Sequence, residues 1–156
     1  MATSNANVVA YGVVGGQGFK QLHMPISHAT FPINQGDLVY LDTSAHIIKA
    51  LDSDAHAASA VGVALQPSVV SSNLDLSTAP AQPAIMVGWD VVANLKTTAS
   101  ETYYHGTVVY LGADAQTITT VVGTNALGAV VLPAGVASVT GAAGVKVGVL
   151  VKNKIY

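Results

Sequence analysis

The stretch that decides the fold is Gly36-Asp-Leu-Val-Tyr-Leu41, followed by Ala45-His-Ile-Ile-Lys-Ala-Leu51 and Val61-Gly-Val-Ala-Leu65. A second copy reads Gly106-Thr-Val-Val-Tyr-Leu111, Ala115-Gln-Thr-Ile-Thr-Thr-Val121 and Leu127-Gly-Ala-Val-Val131. The two copies keep a constant offset of 70 positions as far as Leu51 and Val121, and the register then slips by a few residues. Two copies are too few for a solenoid, so the repeat predicts one β domain built from two related halves.

The segments between the turns are rich in valine, tyrosine and isoleucine, which is typical of short strands. Turn signals recur every 8–12 residues or so, which indicates a sandwich or a barrel. The predicted fold class is therefore all-β, a compact β-sandwich or barrel-like domain over residues 35–156, with half-repeats at about 36–95 and 106–151. Residues 1–34 are predicted to form an extended N-terminal arm, because Pro25 and Pro32 enforce extended backbone. Its apolar residues need a surface to lie on, either the chain's own sheet or a neighbouring subunit.

The charge content is unusually low. Only 9% of the residues are charged and 51% are hydrophobic, whereas about 25% are charged in an ordinary soluble domain. Such a composition fits a membrane protein, an aggregating chain or a protein largely covered by partners. The last is favoured, because obligate interfaces are depleted in charge. The membrane alternative is disfavoured because no window of 18 consecutive apolar residues occurs.

The basic residues are six lysines and no arginine, and they form no stripe. Direct binding to nucleic acid is therefore not expected, since it depends on lysines and arginines that neutralise phosphates. The chain has no cysteine, which excludes disulfides and thiolate metal sites. Residues 1–7 lack the basic and apolar regions of a signal peptide, and none is expected.

Candidate chemical sites are sparse. The tightest cluster of metal-ligand types is His46, Asp52, Asp54 and His56, but its spacing matches neither a zinc nor a calcium motif, and a polar turn between strands explains it better. The glycines at positions 15, 16 and 18 fit neither a phosphate-binding loop nor a dinucleotide fingerprint. There is no nucleophile elbow, and Glu101 is the only glutamate. We therefore expect no enzyme activity, no cofactor and no bound metal.

The repeated pattern resembles the small decoration or cement proteins of tailed-bacteriophage heads, over roughly residues 34–151. It consists of Gly36-Asp-Leu-Val-Tyr-Leu with Val61-Gly-Val-Ala-Leu, and Gly106-Thr-Val-Val-Tyr-Leu with Leu127-Gly-Ala-Val. The resemblance implies a compact β fold, usually trimeric, that binds the outer surface of the expanded capsid and reinforces contacts between major capsid proteins. The family brings no catalytic residues. Its members often use an N-terminal arm that becomes ordered on the shell, a role that residues 1–34 match.

The resulting hypothesis is a structural virion protein that is made in the host cytoplasm and self-associates, as a homotrimer, on the outside of the capsid. The residues expected to contact the shell are the apolar residues of the arm, Phe19, Leu22, Met24, Ile26 and Phe31. Three aromatic residues are candidates for a subunit interface, Tyr40, Trp89 and Tyr110, because amphipathic rings are common at interfaces. The alternatives are a fibre-base or tail-associated β module and, from another class, a carbohydrate-binding module.

Overall fold

The computed structural model describes residues 8–11, 13–14, 17–18, 20–27, 32–67, 84–98, 100–142 and 145–155. Within these residues the only helical element is a 3₁₀ turn, His56–Ser59. The strands in chain order are β1 (Val8–Tyr11), β2 (Val13–Val14), β3 (Gln17–Gly18), β4 (Lys20–Pro25), β5 (Leu38–Asp42), β6 (Ile47–Ala50), β7 (Ala60–Ala64), β8 (Ala84–Trp89), β9 (Val91–Thr97), β10 (Glu101–Tyr104), β11 (Val108–Leu111), β12 (Thr117–Thr119), β13 (Gly128–Val130), β14 (Ser138–Gly141) and β15 (Lys146–Val151). The predicted all-β class is confirmed.

The first half of the chain forms a five-stranded sheet in the order β4-β8-β7-β5-β6. All neighbouring strands in this sheet are antiparallel. Just beyond the end of β4, Ile26 forms a parallel bridge with Ile48 of β6, so that the two outer strands of the sheet meet. We call this unit the first barrel.

The second half repeats that arrangement with β9, β15, β13, β11 and β12. Here β9 pairs with β15 on one side and, in parallel, with β12 on the other, which closes the sheet into a five-stranded barrel. This unit is the second barrel. The short β1 adds to the side of β9, and β10 and β14 form a separate two-stranded ribbon.

Three strands of the repeat correspond in order in the two barrels, but the predicted first half, 36–95, needs correction because β9 belongs to the second barrel. Strand β5 pairs with β6 and β7, and β11 pairs with β12 and β13. Even the unusual backbone positions coincide: Gly36 and Gly106 have φ of 89° and 83°, and His46 and Gln116 have φ of 57° and 66°. The left-handed region is uncommon for residues other than glycine, so a shared histidine and glutamine there indicates one hairpin geometry used twice.

Close packing of strands explains a second matched pair of glycines. A Cβ atom added to Gly62 would collide with the backbone oxygen of Gly88, and one added to Gly128 would collide with the backbone oxygen of Leu150. Only glycine permits this approach between adjacent strands. The strand Ala60–Ala64, all of whose residues are buried, is thus packed closely under β8.

The buried side chains form two clusters. The smaller one fills the first barrel, with Met24, Ile26, Ile33, Val39, Ile48, Val61, Ala64, Ile85 and Val87. The larger one fills the second barrel and extends to residues of the first half, including Leu38, Tyr40, Leu51 and Val63. Successive residues of β5 therefore enter different cores, because side chains alternate across a strand.

The predicted boundary between arm and domain needs correction. Strand β4 lies within residues 1–34 but pairs along its whole length with β8, and Met24 is buried in the first core. The physical reason is that an extended apolar segment can satisfy its backbone and bury its side chains by joining the chain's own sheet. Residues 1–7, Phe19, Phe31 and residues 68–83 lie outside the described residues.

Candidate interaction surface

One outer face of the first barrel is covered by the second barrel. We define this β5 face by Leu38, Tyr40, Leu51 and Val63, all of them buried. The four side chains belong to the same cluster as the interior of the second barrel, whereas their strand neighbour Val39 points into the first core. The β5 face is thus an interface between two related barrels of a single chain.

A buried glutamine fastens this interface. The Gln116 side chain is almost fully buried, and its Oε1 accepts a hydrogen bond from the Leu38 N–H at 2.6 Å. Its Nε2 donates to the Leu38 carbonyl at 3.0 Å and to the Leu51 carbonyl at 2.7 Å. The amide therefore supplies a partner for the Leu38 N–H and the Leu51 carbonyl, and it adds a second hydrogen bond to the Leu38 carbonyl, which also accepts from the Leu51 N–H.

The loop before the 3₁₀ turn adds a second polar contact between the halves. The Asp54 carboxylate accepts hydrogen bonds from the backbone N–H groups of Thr124 and Asn125, at 3.3 and 3.4 Å. The Asn125 side chain donates to the Asp54 carbonyl at 2.9 Å. Near the end of the chain, the Lys154 N–H donates to the Ala60 carbonyl at 2.9 Å. The interface therefore combines an apolar centre with polar bonds around it.

The second barrel carries a related face that is more exposed among the described residues. Strand pairing matches Leu38, Tyr40 and Val63 to Val108, Tyr110 and Ala129, and the sequence offset of 70 matches Leu51 to Val121; we call these four residues the β11 face. Val108 is 47% exposed and Val121 is 68% exposed, and the adjacent Val122 is 79% exposed. Tyr110 and Ala129 are partly buried.

None of these five side chains carries a charge, and three of them are largely exposed among the residues that the structure describes. Clustered exposed apolar groups of this kind mark interaction sites more often than isolated ones do.

A carboxylate anchors the turn that presents this face. The Glu101 carboxylate accepts hydrogen bonds from the Thr119 hydroxyl at 2.5 Å, the Thr120 N–H at 2.7 Å and the Tyr103 hydroxyl at 2.8 Å. Burial alone would raise the pKa of Glu101, but these hydrogen bonds stabilise the anion and leave its pKa below the ordinary value. The turn after β12 is therefore held by a charged group at neutral pH.

The Tyr103 hydroxyl oxygen also lies 3.1 Å from the Ile118 carbonyl oxygen, so its single proton is shared between that carbonyl and Glu101. Burial, together with the adjacent Glu101 carboxylate, raises the pKa of Tyr103. This buried ring thus stays neutral and ties the β10–β14 ribbon to β12.

The candidate metal cluster is not assembled. The His56 Nδ1 lies 2.5 Å from the Asp52 Oδ1, and the His56 ring stacks on Tyr40 with 4.3 Å between the centroids. Asp54 is directed to the second half instead, as described above. No three histidine or carboxylate side chains among the described residues lie close enough to hold a metal ion.

The residues predicted to contact a shell occupy different environments. Leu22 is 47% exposed on β4. Met24 and Ile26 are buried in the first core, so that their role in this chain is structural and not one of surface contact. Phe19 and Phe31 lie outside the described residues.

The three aromatic residues predicted at a subunit interface are also separated. Tyr40 is indeed at an interface, but this interface lies between the two halves of one chain. Trp89 packs against the first core and is partly buried. Tyr110 lies on the β11 face, where it is the counterpart of Tyr40.

The sequence reasoning missed the two most informative features, Gln116 and the exposed valine pair Val121-Val122. The repeat held a signal for both, because the offset of 70 aligns Gln116 with His46 and Val121 with Leu51. It could not show that one member of each aligned pair is buried and the other exposed.

A buried carboxylate supports the turn before β5. The Asp37 Oδ2 accepts hydrogen bonds from the Asn34 N–H at 2.8 Å and the Asn34 side chain at 3.3 Å, while its Oδ1 is buried and has no hydrogen-bond partner among the described residues. Burial raises the pKa of Asp37 to about 6, although the Asn34 hydrogen bonds oppose that rise. The second half has Thr107 here, whose hydroxyl accepts from the Tyr104 N–H at 3.2 Å and keeps the same turn without a charge.

Comparison with known proteins adds no family assignment. No protein-family model matches the sequence, and no curated protein matches it. Within the described residues, the chain forms no helix of the length and hydrophobicity needed to cross a membrane.

Proposed function

We propose that this chain is a structural protein of the bacteriophage virion that decorates the outer surface of the head. In this role it binds the major capsid protein, strengthens contacts between neighbouring capsid subunits and self-associates, as a homotrimer. The proposal extends the resemblance of the repeated sequence to small head-decoration proteins.

The observation that carries the proposal is the exposed β11 face on a surface poor in charge. Two valines of this face, Val108 and Val121, and the adjacent Val122 are each at least 47% exposed. Only 9% of the whole sequence is charged. A protein that acts by buried contact area needs such a surface, since apolar burial contributes roughly 25 cal/mol per Å². Repetition at many sites on a shell multiplies weak individual contacts.

Attachment to the shell is assigned to the N-terminal side of the chain, with Leu22 as the exposed apolar residue there. Met24 and Ile26 are not part of this proposal, since they support the first core. Attachment and self-association therefore use different surfaces, one on β4 and one on the second barrel.

The test is co-sedimentation of the purified chain with expanded capsid shells of the phage that encodes it. We expect saturable binding and shells that survive higher temperature. Leu22→Asp should weaken binding at least tenfold, whereas Gln21→Asp, at the neighbouring exposed position on β4, should bind as the natural chain does. No pelleting of the natural chain above background would overturn the proposal.

Labelled protein on whole particles separates this role from the structural alternative, a fibre-base or tail-associated module. Label distributed over the head supports decoration. Label confined to the tail or to the fibre attachment point contradicts it.

A further inference from the structure

The chain contains one example of how its barrels bind each other. In that internal interface the β5 face of the first barrel meets the second barrel, and the hairpin turn at Gln116 binds the backbone of Leu38 and Leu51. The interface therefore has two sides, an apolar strand face and a hairpin turn with a residue in the left-handed conformation.

Each side has an unused counterpart elsewhere in the chain. The strand face recurs as the β11 face, with Val121 68% exposed where Leu51 is buried. The turn recurs at His46, which has the same left-handed backbone as Gln116 and is exposed. The β11 face belongs to the second barrel and the His46 turn to the first. In the internal interface the strand face is on the first barrel and the Gln116 turn is on the second, so a single chain cannot also bring the β11 face and the His46 turn together in that arrangement.

We propose that the β11 face of one copy binds a second copy of this chain around the His46 turn, so that copies join head to tail and repeat the internal interface. This inference rests on the self-association in the proposed function, but not on attachment to a shell.

The backbone beside the β11 face differs from the backbone beside the β5 face. In the first half, the ladder between β5 and β6 is continued by a hydrogen bond from the Leu51 N–H to the Leu38 carbonyl at 2.8 Å. In the second half, the ladder ends at Tyr110 and Thr119, and the Val121 N–H instead donates to the Thr119 hydroxyl at 3.1 Å. An incoming imidazole can donate one hydrogen bond and accept another, as the Gln116 amide does at Leu38.

Side-chain size agrees with a weaker copy of the internal interface. Val108, Val121 and Ala129 stand where Leu38, Leu51 and Val63 stand in the buried face, so each contact is smaller by about one methylene or more. A smaller buried apolar area gives a weaker affinity. We therefore expect copies to associate at high local concentration and not permanently. Because the two contacting surfaces differ, the interface is heterologous and closes into a ring when the rotation between copies permits. A three-membered ring is the form that agrees with the proposed trimer.

The first experiment uses single-cysteine variants, which are clean because the natural chain has no cysteine. His46→Cys and Val121→Cys are prepared separately, mixed in equal amounts, and treated with a short bis-maleimide cross-linker. We expect covalent dimers in the mixture and only background dimer with either variant alone. Efficient cross-linking of Val121→Cys with itself would indicate a two-fold contact and overturn the head-to-tail arrangement, and no cross-linking in the mixture would overturn it as well.

The second experiment measures oligomeric state by sedimentation equilibrium. Val121→Lys should raise the dissociation constant at least tenfold, because it places a charge in an apolar contact. The matched control is Val136→Lys, which changes a valine that is 40% exposed and lies outside the β11 face, and it should associate as the natural chain does. Equal association of the two variants would overturn the inference, as would a natural chain that is monomeric at every concentration. Unfolding temperatures that match that of the natural chain show that both variants are folded.

The two proposals fail separately. If the natural chain never pellets with shells, the decoration function fails whatever the state of Val121→Lys. The contact between copies is then judged by sedimentation equilibrium alone. If the natural chain saturates shells yet is monomeric in solution, and the mixed His46→Cys and Val121→Cys variants do not cross-link on the shells, the decoration function stands and the head-to-tail contact fails.

Discussion

Replacing Gln116 with alanine tests whether the two barrels are held together as described. The change removes three hydrogen bonds to the first barrel. The Leu38 carbonyl keeps the bond from the Leu51 N–H, so two groups lose their partner, the Leu38 N–H and the Leu51 carbonyl. Each buried backbone group left unsatisfied costs about 1–3 kcal/mol. We therefore expect Gln116→Ala to lower the free energy of unfolding by about 4 kcal/mol, the midpoint of that range for two groups.

The repeat supplies a matched control in His46→Ala. His46 occupies the equivalent turn with φ of 57°, against 66° at Gln116, so the strain on an alanine in the left-handed region is common to both variants. His46 is exposed, and a surface substitution changes stability by roughly 0.5 kcal/mol or less. The difference between the variants therefore isolates the interface contact from the backbone effect.

The assay is urea unfolding followed by two signals, the fluorescence of Trp89, the only tryptophan, and far-ultraviolet circular dichroism. Trp89 packs against the first core and reports that barrel, whereas circular dichroism reports both. Weakening of the interface by Gln116→Ala should move the midpoint to lower urea and separate the two transitions. A difference of less than about 1 kcal/mol between Gln116→Ala and His46→Ala would refute the reasoning.

Three further predictions concern the interiors of the two halves. Between pH 4 and pH 6 or so the folded state holds a proton on Asp37 that the unfolded state releases, so stability falls as pH rises through this window, by at most about 3 kcal/mol. Asp37→Thr should flatten this fall in urea titrations at several pH values, and an unchanged slope would contradict the assignment. Gly128→Ala should lower the free energy of unfolding by about 3 kcal/mol, because the added methyl group meets the Leu150 backbone oxygen. Gly106→Ala should lower it by only about 1 kcal/mol, because the added atom lies in open space and the cost comes from positive φ alone. Calorimetry on both variants measures the difference. Tyr103→Phe should lower the free energy of unfolding by about 2 kcal/mol through loss of its two hydroxyl contacts, measured by chemical denaturation, and a neutral effect would show that neither contact contributes.

The fold class could be predicted because its signals are local. Alternating β-branched residues and glycine turns produce strands wherever they occur, and the same pattern twice produces the same hairpin twice. The arm boundary was predicted wrongly because β4 carries the same extended signal whether it lies on a neighbour or in its own sheet. Its pairing with β8 joins residues about sixty positions apart, as in Leu22 and Val87, and local sequence does not encode such pairs.

Only part of the candidate interaction surface could be predicted from the sequence. Tyr40 and Tyr110 were recognised as matching positions, and aromatic residues at an interface were expected. The sequence did not show that Tyr40 is covered by the chain itself while Tyr110 is on the surface that remains.

The sequence by itself determined the duplication and the all-β class. Each depends on residues near one another in the chain, where backbone conformation and side-chain alternation are decided. The tertiary structure alone decided which copy of each feature is buried. Gln116 and His46 share one backbone conformation, and Leu51 and Val121 share one position in the sequence repeat, yet one member of each pair is covered and the other meets solvent. Burial depends on what the packing of the two barrels brings opposite a residue, and that is a property of the whole fold.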